Sequence, residues 1–223
     1  MDLLKNSDPY CSPDPYGRRH HNLTSYKREL KSGLYVPGLE LVEVDVSNSQ
    51  PFLLNTLLNH NSTDAKEYLN LTSHGLFWKT FKDDCIYTGD MEQFKKDTFH
   101  AVFYSHPRSQ FQKDGIPLDN HSTLTGIRDV FKKQFPGVYN QIIGFKKSNY
   151  KNLAREMQRK ESDLIIDTVC NHMRKEAEFF IPIHDSIICD IEASENVMYE
   201  IKSAFRLKYG IVPTLKLKNY DTL

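Results

Sequence analysis

The mixed order of strands and helices along the chain predicts an α+β fold rather than a doubly wound parallel sheet. Two apolar runs, at 41–46 and 179–188, are typical of strands, and the first is rich in β-branched residues. Apolar residues at helical spacing occur between and after these runs, most clearly from about Leu153 onward. With 223 residues, of which 39% are apolar, the chain is long enough for one domain with its own core, with or without a small insertion.

The N-terminal half is expected to contain an irregular arm, one strand and several helices. Residues 1–17 include three prolines and predict the irregular arm. The run at 41–46 predicts a buried strand. Polar or proline residues ahead of apolar segments then predict three helices: one from Pro51, one capped by Thr63 or Asp64 over 64–72, and one capped by Asp90 from Met91 to about Tyr104.

The C-terminal half is expected to alternate between helix and strand. Pro136-Gly137 predicts a turn, and the pattern from Leu153 predicts a long amphipathic helix ahead of the second apolar run. The remaining predictions are a helix from Ser194 to about Tyr209, its C-terminal cap at Gly210, and a last strand over 211–218.

Composition and charge limit the classes of protein that the chain can belong to. Acidic and basic residues number 29 each, so net charge gives no sign of a nucleic-acid partner and any basic surface must be local. The four cysteines form no Cys-x-x-Cys pair, which argues against a zinc site or a redox dithiol. No signal peptide or membrane span is recognisable, so we expect a cytoplasmic protein without a membrane partner.

Two aspartates interrupt the apolar runs and are the first residues that need a chemical explanation. Asp45 and Asp185 lie in segments expected to be buried, where a lone carboxylate is costly unless it is paired, hydrogen-bonded or bound to metal. If their strands are neighbours, the two carboxylates converge as a two-metal phosphoryl-transfer site requires. The alternative is that each aspartate caps a turn at the end of its strand.

Several segments resemble motifs of the family A DNA polymerases and the related single-subunit RNA polymerases. Val44-Asp45-Val46-Ser47 is similar to motif A, and Ile183-His184-Asp185-Ser186 is similar to motif C. Met157-Gln158, followed by Asp163, resembles the helix that precedes motif C. Lys96, eight residues before Tyr104, has the spacing of motif B, and Gly17-Arg18 resembles a Gly-Arg that contacts the primer end.

The resemblance implies the fold of a polymerase palm. Such a palm would have an antiparallel sheet carrying Asp45 and Asp185, with helices packed on one face. A short, fingers-like helical insertion at about 60–150 is expected within a palm that covers 18–223.

The resemblance also implies a role for each matching residue. Asp45 and Asp185 would hold two Mg²⁺ ions, for which Mn²⁺ can substitute, and the Val46 carbonyl would be a further ligand. The residues placed on the incoming nucleotide are Gln50, Lys96 and Tyr104, and those placed on the primer–template are Arg18, Gln158 and His184. Plainer alternatives stay open: a solvated helix lysine at 96, a core tyrosine at 104, a core histidine at 184 and a surface arginine at 18.

The chain departs from the family pattern mainly around motif B. The bulky Gln50 replaces the usual motif A glutamate and favours deoxynucleotides over ribonucleotides. The other departures are Glu92 for a basic residue, His100 for a phenylalanine, Ser105 for a glycine and Ser186 for a glutamate.

The chain is also short for this family. The two aspartates are only 140 positions apart (185 − 45), and 44 residues precede Asp45, so we expect neither an exonuclease domain nor a full thumb. Such a chain is either a minimal polymerase or one that relies on a protein partner to grip the duplex.

The sequence therefore predicts a template-directed nucleotidyltransferase similar to DNA polymerases. Its partners would be a primer–template and a dNTP, with an rNTP as the other option. A first alternative is a non-catalytic, nucleic-acid-binding replication accessory protein with a palm fold, which the altered motif B favours. A second is a metal-dependent nuclease, because two-metal chemistry serves hydrolysis equally well.

Overall fold

The structure is a computed structural model that describes residues 12–13, 19–20, 24, 33–107, 112–113, 116–174 and 179–219. It confirms an α+β fold. The predicted irregular arm, 1–17, lies almost entirely outside these residues. The strands are β1 (Ser12–Pro13), β2 (Arg19–His20), β3 (Leu41–Val46), β4 (Gln112–Lys113), β5 (Ile116–Pro117), β6 (Phe180–Ile183), β7 (Ser186–Asp190) and β8 (Leu215–Asn219).

The helices account for most of the described residues between β3 and β6. In chain order they are α1 (Ser49–Leu54), α2 (Thr63–Ser73), α3 (Phe77–Asp84), α4 (Met91–Thr98), a first π-helix (Phe99–Tyr104), α5 (His121–Gln134), α6 (Pro136–Lys146), α7 (Asn152–Leu164), a second π-helix (Ile165–Cys170), α8 (Asn171–Met173) and α9 (Ser194–Tyr209), with a 3₁₀ turn at Ile191–Ala193 before α9. Within the described ranges, no helix combines the length and apolar character that crossing a membrane requires.

The chain divides into two compact units. The sheet unit is built from residues up to Ser49 and from Gln158 onward, and the helical unit is the continuous stretch Gln50–Met157. The sequence-based boundary of an insertion at about 60–150 stays a prediction.

A four-stranded antiparallel sheet organises the sheet unit, in the order β6-β7-β3-β8. Alternate residues of a strand point to opposite faces, so Val42, Val44 and Val46 of β3 share one face. These valines are buried, and α9, whose Val197 and Ile201 are also buried, packs against β3 and β7. The opposite face carries Glu43 and Asp45. The confirmed strand at 41–46 thus separates an apolar face from a charged one.

Aromatic side chains form the core of the helical unit. Phe131 of α5 is fully buried and contacts several rings edge-on or tilted, with centroids 5.3–6.4 Å away. These rings belong to Tyr68, Phe81, Phe103, Phe135 and Tyr139. Such ring pairs stabilise the fold beyond what apolar burial alone contributes. They hold α2, α3 and the first π-helix around α5.

One predicted helix start needs correction because the capping residue lies one position earlier in the sequence. Ser62, not Thr63 or Asp64, caps α2 through its Oγ, which accepts from the Ala65 amide at 3.4 Å. The Asp64 carboxylate instead accepts from the amides of Gly137 and Val138, at 2.6 and 3.1 Å, and so caps α6.

Three further boundary predictions have clear outcomes. The predicted turn at Pro136-Gly137 is wrong, since Pro136 is the first residue of α6, where proline is favoured. Asp90 caps α4 as predicted, although the helix changes from α to π geometry at Phe99. Gly210 ends α9 in the left-handed conformation, with φ of 69°, as predicted.

Candidate functional site

Asp45 is the fifth of the six residues of β3. It pairs with Ser186 of β7 on one side and with Lys216 of β8 on the other. Its side chain is 22% exposed. The sequence prediction placed this carboxylate in a buried strand; it lies in the strand but is only partly buried, because it points away from the apolar face.

Asp185 lies in a turn rather than in a strand. Ile183 of β6 pairs with Ser186 of β7, so His184 and Asp185 are the two loop residues of a tight hairpin. Such hairpins favour positive φ in the loop, and His184 has a φ of 55°. The Ser186 hydroxyl donates to the Ile183 carbonyl at 3.0 Å across the same turn. Asp185 is partly exposed, which corrects the expectation of a buried strand residue.

The register of β3 and β7 brings the two aspartates to the same end of the sheet. Asp45 is directly opposite Ser186, and Asp185 immediately precedes Ser186. Because the strands are antiparallel, the end of β3 meets the start of β7. Sequence reasoning predicted that the two carboxylates converge if their strands are neighbours, and the strands are neighbours.

Lys218 of β8 is a charged partner of Asp45 that sequence reasoning missed. Its Nζ lies 2.7 Å from Asp45 Oδ2 and 3.8 Å from Glu43 Oε1. The lysine side chain is 32% exposed, so this ion pair is only partly screened by solvent. The alternation of Lys216 and Lys218 in the sequence was a signal for the strand, but it did not identify a contact with Asp45.

The turn after β3 and the first residue of α1 hold two buried hydroxyl groups. Ser47 and Ser49 are 2% and 8% exposed, and neither Oγ has a hydrogen-bond partner among the described residues. Asn48, between them, has a φ of 53°, a conformation that asparagine adopts more readily than most residues. A buried hydroxyl without a hydrogen-bond partner costs about 1–3 kcal/mol. The hydroxyl groups of Ser47 and Ser49 can therefore hydrogen-bond to water or to a ligand.

A metal at this site would rest on Asp45 and Asp185. Among the residues that the structure describes, no group of three or more His, Cys, Asp or Glu side chains is placed to hold a metal. Mg²⁺ commonly uses one or two carboxylates and completes its shell with water and substrate phosphates, so two aspartates satisfy its requirement. The residues therefore fit Mg²⁺, provided that Lys218 releases the Asp45 oxygen that it contacts.

Gln50 and Tyr104 lie together in the helical unit, although 54 residues separate them in sequence. The Tyr104 hydroxyl donates to Gln50 Oε1 at 3.4 Å, which is long for this kind of hydrogen bond. The Tyr104 ring stacks on Phe99, with centroids 5.4 Å apart and an interplanar angle of 11°. Tyr104 is 39% exposed, so it is not the core tyrosine of the plainer alternative.

Lys146 of α6 supports the helix that carries Tyr104. Its Nζ donates to the carbonyls of Val102 and Ser105, at 2.6 and 3.1 Å, around the end of the first π-helix. The residue is only 3% exposed, and burial lowers the pKa of its ammonium group to about 8. A buried lysine in an amphipathic helix has no hydropathy signature, so sequence reasoning missed it.

The remaining predicted site residues are described mainly by their position and exposure. Lys96 lies on α4 with its side chain 65% exposed, and its Nζ is 3.5 Å from Glu92 Oε1. Gln158 is a partly exposed residue of α7 in the sheet unit, and Val46 ends β3 with its side chain buried. Arg18 lies outside the described residues.

Comparisons with known proteins identify the fold. No protein-family model matches the chain, and no curated protein matches its sequence. A solved structure, the POL domain of Pol1 from M. smegmatis in complex with DNA primer-template and dNTP, has a similar fold, with a TM-score of 0.61 and 11% sequence identity. The match covers 92% of this chain and 46% of that chain, so our protein spans less than half of its length. At this identity the likeness concerns the fold alone, which is polymerase-like.

Proposed function

We propose that this protein is a template-directed nucleotidyltransferase, similar to DNA polymerases, that adds nucleotides to the 3′ end of a primer. One observation supports the proposal: in a polymerase-like fold, Asp45 is directly opposite Ser186, the residue that follows Asp185. The motif A and motif C segments that suggested the activity are the segments that supply these two residues.

The proposed reaction is an in-line displacement at phosphorus. The primer 3′ oxygen forms a bond to the α-phosphorus of the incoming nucleotide, the bond to the β-phosphate oxygen breaks, and pyrophosphate leaves while the hydroxyl proton passes to solvent. Two Mg²⁺ ions, when bound, would supply the positive charge that stabilises the attacking and leaving oxygens. Asp45 and Asp185 would hold these ions, with the Val46 carbonyl as a main-chain ligand.

The roles proposed for the remaining residues follow from the resemblance. In the helical unit, which would serve as reduced fingers, Gln50 and Tyr104 would contact the nucleotide sugar and base, and Lys96 its triphosphate. In the sheet unit, Gln158 and His184 would contact the minor groove of the primer–template, where all correct pairs present shared acceptors. Arg18 would contact the primer backbone.

Primer extension tests the proposal directly. A labelled primer on a DNA template is incubated with Mg²⁺ or Mn²⁺ and with dNTPs or rNTPs in parallel, using the full chain and Asp185→Asn. We expect extension with dNTPs that Asp185→Asn abolishes. Extension that persists in Asp185→Asn would remove Asp185 from the site, and shortening of the primer would identify a nuclease instead.

A second candidate function is supported by Lys218. The Lys218 ammonium group offsets the desolvation cost of the partly buried Asp45 carboxylate without a metal ion. A palm that has lost catalysis but kept this aspartate would need such a partner. In that case the protein is an accessory factor that binds nucleic acid. It would bind primer–template with an affinity that falls as salt rises, and it would extend nothing.

The sugar preference of the enzyme is expected to depend on Gln50. Its side chain lies near Tyr104, where its bulk would exclude the 2′-hydroxyl of a ribonucleotide. We therefore expect Gln50→Gly to raise rNTP use relative to dNTP use by about tenfold, a change of about 1.4 kcal/mol. The measurement is the ratio of single-nucleotide incorporation rates for dNTP and rNTP. Gln50→Glu keeps the size of the side chain and should keep the preference. An unchanged ratio in Gln50→Gly would show that another residue discriminates between the sugars.

A further inference from the structure

We infer that Lys218 competes with divalent metal for Asp45 and thereby sets the metal affinity of the site. The inference rests on the proposed function in one respect only, namely that Asp45 is a metal ligand. It adds a regulatory element contributed by β8, a strand that none of the polymerase-like motifs includes.

The register of the sheet keeps Lys218 within reach of Asp45. Lys218 is directly opposite Glu43, and Asp45 lies two residues further along β3 on the same face. Diagonal neighbours across antiparallel strands are about 7–8 Å apart, which a lysine side chain spans easily. Lys218 therefore reaches Asp45 because of strand pairing, not because of a mobile loop.

The lysine and a metal ion cannot share the same carboxylate oxygen without cost. At 2.7 Å the ammonium group occupies Asp45 Oδ2, and a divalent cation bound there would bring two further positive charges beside it. Both side chains are partly buried, at 22% and 32% exposure, so solvent does not screen this repulsion fully. Metal binding at Asp45 Oδ2 therefore requires the ammonium group to move away, and binding at the other oxygen is opposed by the nearby positive charge.

Glu43 provides a second position for the displaced ammonium group. Its carboxylate already lies 3.8 Å from Lys218 Nζ and is 20% exposed. A small rotation of the lysine side chain would exchange Asp45 for Glu43 without taking the positive charge into bulk solvent. The three side chains thus form a two-position arrangement: Lys218 on Asp45 without metal, and Lys218 on Glu43 with metal.

Lys216 offers a matched control for the charge of Lys218. It belongs to the same strand and lies directly opposite Asp45 in the register, yet its side chain is exposed. Removing Lys216 changes the net charge near the site by the same amount as removing Lys218. A difference between the two variants therefore reports the contact with Asp45 and not the overall field.

The test is a titration of the full chain with Mn²⁺ in the absence of nucleic acid. The electron paramagnetic resonance signal of the free ion measures how much Mn²⁺ is bound. We expect Lys218→Met to lower the Kd for Mn²⁺ by about tenfold, and Lys216→Met to change it by less than about threefold. Adding Asp45→Asn to Lys218→Met should remove the gain. Thermal unfolding followed by circular dichroism confirms that each variant is folded.

The possible outcomes separate the inference from the proposed function. Equal effects of Lys218→Met and Lys216→Met, or no effect of Lys218→Met while Asp45→Asn weakens binding, would overturn the inference and leave the metal role of Asp45 intact. If Asp45→Asn changes Mn²⁺ binding in neither background, Asp45 is not a metal ligand and both fail. In an active enzyme, Lys218→Met should also shift the Mg²⁺ dependence of primer extension to lower concentration.

Discussion

Asp45→Asn is expected to lower the rate of primer extension by at least about 1,000-fold, equivalent to about 4 kcal/mol of transition-state stabilisation. Asparagine keeps the shape of the side chain but loses the negative charge that would hold a metal ion. The fold should survive, because the side chain is 22% exposed and its partner Lys218 remains within 3.8 Å of Glu43. Single-turnover extension of a labelled primer measures the effect.

Glu43→Gln is the matched control for this variant. Glu43 lies on the same strand and the same face as Asp45, has a similar exposure and also faces Lys218. It is not among the residues that would hold metal. At saturating Mg²⁺, where the position of Lys218 no longer limits metal binding, we therefore expect extension within about threefold of the original rate, or about 0.7 kcal/mol. An Asp45→Asn protein that extends primers at the original rate, or an equal loss in both variants, would contradict the assignment of Asp45.

Lys146→Met is expected to change how the stability of the protein depends on pH. Burial lowers the pKa of the folded lysine to about 8, against an ordinary value of 10.5. Between these values the unfolded chain binds more protons than the folded one, so this lysine makes the free energy of unfolding rise with pH. At about 1.4 kcal/mol for each pH unit, the full rise is about 3 kcal/mol, and Lys146→Met should lose it.

Urea unfolding at several pH values from 7.5 to 10.5 provides the measurement. The quantity of interest is the difference in unfolding free energy between the original protein and Lys146→Met, in which contributions from the tyrosines cancel. We expect this difference to move in favour of the original protein as pH rises. Lys147→Met, at the exposed neighbouring residue, should show no such trend. Parallel pH profiles for the original protein and Lys146→Met would show that Lys146 is not a buried cation.

Local sequence signals predicted those parts of the fold that depend on neighbouring residues. The strand at 41–46, the cap at Asp90 and the left-handed Gly210 each follow from a few adjacent residues, and the structure confirms them. The helices α5 and α6 were missed. The cap of α6 is Asp64, which lies 73 residues before the amide that it accepts from, and no local pattern identifies such a partner.

The candidate site was predictable only as far as the motifs extend. Asp45 and Asp185 stood out because a carboxylate in an apolar run needs an explanation, and strand pairing brings their segments together. Lys218 and Lys146 could not be found in the same way. The contact of Lys218 depends on the register between β3 and β8, and the burial of Lys146 depends on the carbonyls of a distant helix.

The position of β3 in the centre of its sheet has a consequence for the order in which the protein folds. Its partners come late in the chain: Asp45 pairs with Ser186, 141 residues later, and with Lys216, 171 residues later. The helical unit, in contrast, is one continuous stretch. Contacts between distant residues carry a larger entropy of loop closure and form more slowly. We therefore expect the helical unit to acquire its core while the chain is still being synthesised, and the segments of the two aspartates to come together only after the ribosome has released β7.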